Sequence, residues 1–171
     1  MVDWIESRLK SKTDYSRYEE YKESIQDLMD HEAVKSMEKY PQHGKMNCLN
    51  HCIFVSYYSF LLCKRLGLDS RSAARGGLLH DLFLYDWHTA TRSDRGWHGF
   101  SHPYTALENA DRLFELNEME KDIIVKHMWP LTIKRPLYKE SFIVLMVDKY
   151  CALVETVRRI NGFSRAKYFD S

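Results

Sequence analysis

Apolar residues recur along this chain mostly three or four positions apart, and the strict alternation of a half-exposed strand is nearly absent. That spacing predicts an all-α fold, a single-domain helical bundle. From Asp14 to Lys39 the chain is rich in Glu, Lys, Tyr and Met, with Ile25, Leu28, Met29 and Val34 on one face, which predicts one or two amphipathic helices closed by Pro41 and Gly44. The most apolar stretch, CLNHCIFVSYYSFLLCKRLG, runs from about Met46 to Leu66 and reads as a central helix with Gly67 as its C-cap. Asp69 or Ser70 caps a following helix, Ser72 to about Leu82, whose Ala73, Ala74, Gly76 and Gly77 permit close helix approach and which ends in LLHDLF.

The segment Tyr85–Ser101 is polar and aromatic without a clean period, holds Arg92, Asp94, Arg95, Trp97 and His98, and is expected to be a long loop of the kind that carries function. Pro103 suits the first position of a helix running to about Leu116, with His102 at its mouth. Asn117 and Glu120 make a capping-box start to a helix that passes through Ile123, Ile124 and His127 before Trp129-Pro130 and then Pro136 interrupt the chain. From Lys139 the run SFIVLMVDKYCALVETV predicts a second buried helix with Asp148 inside it. The resulting division is residues 1–45 as a helical segment packed on the core, 46–157 as the core, and 158–171 as a tail.

Composition narrows the function. At 171 residues and 44% apolar, the chain can bury one sizeable core. Its 25 basic against 24 acidic side chains leave a formal charge of +1, so no global field draws it to a nucleic-acid polymer or an anionic membrane. No stretch approaches a membrane span in length, and the charged N-terminus lacks an apolar core, which predicts a cytoplasmic protein. Cys48, Cys52, Cys63 and Cys151 lie in apolar helical patterns and read as reduced, buried thiols. Cys48 and Cys52 share a helix face, but further Cys or His at short spacing, which a zinc site needs, is missing there.

The informative polar residues are those that apolar helices must hold, because a buried ionisable group is costly unless it is paired or bound to a metal. They are His51, His80, Asp81, His102, His127 and Asp148. Taken singly each has a plain structural reading: a histidine satisfied by a neighbour, a helix cap, or a cation at a helix C-terminus. If the helices bundle, four imidazoles and two carboxylates converge, a ligand set suited to zinc, iron, manganese and related ions.

The order of these residues, His51, then His80-Asp81, then Asp148-Lys149 in an apolar run, resembles the HD-domain superfamily of metal-dependent phosphohydrolases over Cys48 to Val157. Members with two further histidines before the last aspartate hold two metal ions. The resemblance implies that His51, His80 and Asp148 hold one ion, His102 and His127 the second, with Asp81 bridging both and orienting the water that attacks phosphorus. The ions could be Fe, Mn, Zn, Ni, Co or Mg. The pattern is similar to that of dinucleoside tetraphosphate hydrolases and departs from the HD-GYP phosphodiesterases, since Leu82, Phe83, Leu84 and Tyr85 follow the doublet and no Gly-Tyr-Pro motif occurs. A small phosphorylated substrate, nucleotide-like, is expected, with Arg92, Arg95, Lys126, Lys134, Arg135 and Lys149 as candidates to meet its phosphates. Two other readings share these residues: a di-iron oxygenase of the same fold, and a non-catalytic ligand-binding module. Monomer and homodimer both remain open.

Overall fold

The computed structural model describes residues 3–42, 46–84 and 98–160. Among these residues it is all-helical, with no strand beyond an isolated bridge between Pro41 and Asn47. The elements are α1 (Asp3–Glu6), α2 (Lys12–Met29), α3 (Glu32–Ser36) with a 3-10 turn at Met37–Lys39, α4 (Cys48–Leu66), α5 (Ser70–Leu79), α6 (His98–Leu113), α7 (Glu118–Lys126) and α8 (Lys139–Ile160).

Local chemistry sets most boundaries. Ser11 and Asp14 form a reciprocal capping box at the start of α2, and Asn117 and Glu120 do the same for α7. Asn47 and Asp69 cap α4 and α5 through their side-chain oxygens. Gly67 ends α4 in the left-handed region at φ 68°, where a side chain would be strained. One boundary departs from the sequence expectation. Helix α6 begins at His98, so Pro103 lies inside it and His102 sits in its second turn, not at its mouth. A proline this near an N-terminus removes a single backbone hydrogen bond, and the helix continues through it.

Helix α4 is buried on nearly all sides, as its composition requires, and packs against α5 and α8. Helix α5 is wedged between α4 and α7. Its glycines permit this: a Cβ at Gly77 would stand 3.1 Å from the Ser56 Cα, and one at Gly76 would meet the Ile123 side chain at 2.8 Å. The N-terminal helices belong to the same core. Tyr18 and Tyr21 of α2 pack on Tyr57 and Phe60 of α4, with ring centroids 5.0 Å apart for Tyr21 and Tyr57. The Tyr21 hydroxyl donates to Ser56 Oγ at 3.1 Å, and Ser56 donates in turn to the Ala74 carbonyl at 2.7 Å. Buried Arg75 of α5 reaches out in two directions, donating through Nε to Glu120 at 2.9 Å and through Nη1 to Asp27 at 2.6 Å. No helix among the described residues is long and apolar enough to cross a membrane. All four cysteines are buried and free of disulfides.

Candidate metal centre

Five helices deliver the chemistry-bearing side chains to one interior point. His51 comes from the first turn of α4, His80 is the C-cap of α5 with Asp81 next in sequence, His102 lies in α6, His127 is the C-cap of α7, and Asp148 lies mid-way along α8. All six are buried. Ligand atoms from His51, His80 and Asp81 lie within 4.8 Å of one another, as do those from Asp81, His102 and His127, so Asp81 belongs to both groups. Its two oxygens divide the space: Oδ2 lies 3.4 Å from His80 Nε2, while Oδ1 lies 3.3 Å from His102 Nε2 and 3.5 Å from His127 Nε2. Asp148 Oδ1 stands 3.1 Å from His51 Nε2 and 3.6 Å from His80 Nε2.

The backbone decides which imidazole nitrogen faces inward. His80 Nδ1 lies 2.8 Å from the Gly77 carbonyl and His127 Nδ1 lies 2.8 Å from the Ile124 carbonyl. A carbonyl only accepts, so in both neutral rings Nδ1 carries the proton and Nε2 points a lone pair into the cluster. His51 is held the same way by a carboxylate, with Nδ1 3.0 Å from Glu155 Oε1. Lone pairs therefore face carboxylate oxygens across the site. Among the described residues, His80 Nε2 and Asp81 Oδ1 are buried without a hydrogen-bond partner. A cation satisfies both atoms at once, and imidazole with carboxylate is a donor set that first-row divalent ions accept. The buried His/Asp groups could hold a metal ion.

Electrostatics give the same answer. Burial alone would push the Asp81 and Asp148 carboxyls up, but the surrounding imidazoles outweigh it and hold both well below the usual carboxylate range. Burial would depress His51, yet its bonds to Asp148 and Glu155 outweigh that and raise it well above the ordinary histidine value. His80 is raised too, against burial, by the charge of Asp81 and by Asp148. His127, lacking such an anchor, is lowered to about 3 by burial and by His80 and His102.

Of the basic residues proposed to meet substrate phosphates, Lys149 reaches the cluster. Its Nζ lies 2.8 Å from Asp148 Oδ2 and 3.3 Å from Met128 Sδ, and its side chain remains 42% exposed. Lys126 is ion-paired with Asp122 one turn back on α7. Lys134 and Arg135 are exposed on the connection from α7 to α8. Arg92 and Arg95 lie outside the described residues, as do Trp87 and Trp97.

Two residues at the site carry no motif. Glu155 sits seven positions after Asp148 on the same inward face of α8, and an acidic residue repeating that phase in an apolar helix is the signal that could have found it. Gln42 donates from Nε2 to Asp81 Oδ2, and nothing in its local sequence marks it. No family model, curated protein or solved structure matches this chain.

Proposed function

We propose that this protein is a metal-dependent phosphohydrolase of the HD-domain type, acting on a small phosphate ester or anhydride that is nucleotide-like. The convergence of His51, His80-Asp81 and Asp148 with His102 and His127, in the chain order that the resemblance requires, carries the reading. His51, His80 and Asp148 would hold one ion and His102 with His127 a second, Asp81 serving both. Bound divalent ions supply a lowered water pKa and neutralise charge growing on phosphoryl oxygens.

The chain's own groups do the rest. Asp81 would orient the attacking water and accept its proton as the water oxygen bonds to phosphorus and the leaving oxygen departs. Glu155 and the Gly77 and Ile124 carbonyls fix three imidazoles in the tautomer that turns Nε2 inward. Lys149, half-exposed beside Asp148, offers a cation to a substrate phosphoryl oxygen.

Elemental analysis of protein purified without added metal, run on the native chain and on Asp81→Ala, tests the reading together with hydrolysis of a generic phosphodiester and a nucleotide panel. About two transition-metal equivalents in the native protein, lost with activity in the variant, is the expected result for a two-metal site. Metal near zero in both, with no turnover after manganese, iron or zinc is added, overturns it. Oxygen consumption in place of hydrolysis would move the assignment to the di-iron oxygenases.

A further inference from the structure

Gln42 lies on the connection from the 3-10 turn to α4, and its backbone is tied down on both sides. Its N–H donates to the Met46 carbonyl at 2.9 Å, Pro41 pairs with Asn47, and the Cys48 N–H donates to the Tyr40 carbonyl at 2.8 Å. Asn47 then caps α4, the helix that carries His51. From this fixed base the Gln42 side chain reaches Asp81, 39 residues away in sequence, and its Nε2 donates to Oδ2. The residue is only 7% exposed.

The other end of the same amide is unsatisfied. Gln42 Oε1 is buried and has no hydrogen-bond partner among the described residues. The amide orientation is not arbitrary, because turning it over would press a carbonyl oxygen against a carboxylate. A side chain serving only to brace the loop would have both ends met within the protein, as buried polar groups generally do. Three buried atoms, Gln42 Oε1, His80 Nε2 and Asp81 Oδ1, have no hydrogen-bond partner among the described residues. The last two suit a cation. An amide carbonyl whose own N–H bonds the same Asp81 suits the O–H of a water.

We propose that Gln42 is a positioning residue of this site: its amide N–H commits Asp81 Oδ2, which reserves Oδ1 as the oxygen facing His102 and His127, and its carbonyl accepts a hydrogen bond from the attacking water. The first half rests on geometry alone, and the second rests on the hydrolase reading. Because the amide is planar and rigid, one side chain sets both the base and the water that gives up its proton. Directing the water's second hydrogen to Oε1 leaves its first aimed at Asp81 Oδ1 and its lone pair free for phosphorus.

The chain contains two glutamines, Gln26 and Gln42, so glutamine-selective ¹⁵N labelling of the whole protein yields two side-chain amide signals. Gln26 is exposed. The expected result is one NH₂ pair protected from solvent exchange, shifted when zinc is added and absent in Gln42→Met, beside a second pair that zinc does not move. In Gln42→Met, kcat should fall about 10- to 100-fold, the range for loss of an outer-shell partner, while KM and zinc content hold. Exchange of the Gln42 amide as fast as that of Gln26, or kcat retained in the variant, would overturn the proposal. So would loss of zinc and melting temperature together with kcat, which marks a brace. If the native zinc-loaded protein hydrolyses nothing, the hydrolase reading fails and takes the water contact with it, whereas the amide signals still decide the contact with Asp81.

Discussion

Metal uptake by this protein should be coupled to proton release, and the number of protons can be worked from the cluster. His51 is raised well above the ordinary histidine value by its bonds to Asp148 and Glu155, and His80 is raised by Asp81 and Asp148. His127, at about 3, is already neutral near pH 7 and has no proton to give. A metal bound by these rings should therefore displace a proton from His51 and, where His80 is also charged, a second. Each displaced proton changes the apparent affinity about tenfold per pH unit, or ~1.4 kcal/mol, so affinity should rise about 10- to 100-fold from pH 6 to pH 7. Zinc titration in buffers of different ionisation enthalpy counts the protons directly, and competition with a chelator gives the affinity slope. Glu155→Gln sharpens the test. The amide oxygen still accepts from Nδ1, but one of the two charges that retain the His51 proton is gone, so the count should fall. The same shift has a sign for the metal-free protein: a histidine pKa raised above its unfolded 6.5 contributes stability that is complete below pH 6.5 and is lost as pH rises through the folded value. An affinity flat across this range, or a proton count unchanged in Glu155→Gln, would refute the reasoning.

Two further perturbations probe the scaffold. Arg75→Met removes the partner of buried Glu120 and should cost about 3–5 kcal/mol in a denaturant titration; a loss under about 1 kcal/mol would show that water reaches Glu120. Gly77→Ala gains ~1 kcal/mol of helix propensity but forces a methyl to 3.1 Å from the Ser56 Cα, so overpacking of about 1–3 kcal/mol should leave a net loss, with a rise in melting temperature as the contrary result.

The sequence made some of this legible for a physical reason. A histidine or aspartate inside an apolar helix is conspicuous, since the helix cannot turn it to water, and His51, His80, Asp81, His102, His127 and Asp148 do converge. Caps at Asp69 and Asn117 were equally readable, being local in sequence. What escaped depends on distance. Gln42 is an ordinary loop residue until a turn pinned at Tyr40 and Cys48 aims it at Asp81. Arg75 looks like a surface cation until α2 and α7 supply Asp27 and Glu120. The start of α6 was misplaced because Pro103 was given its commonest helical position, whereas the helix accommodates it a turn later.

His51 is gripped on both ring nitrogens by α8, through Asp148 97 residues away and Glu155 104 residues away. During synthesis, α4 leaves the ribosome long before either carboxylate exists, so the imidazole spends that interval without the two groups that later hold it. Closing a contact of such long range carries a larger loop-closure entropy than the local contacts within α4. The six-residue cluster can thus be completed only once α8 has docked. A chain cut short before Asp148 would keep the four histidines of the cluster and Asp81 yet lack both carboxylates that hold His51, so under the proposed metal-binding reading metal capture would report completed folding.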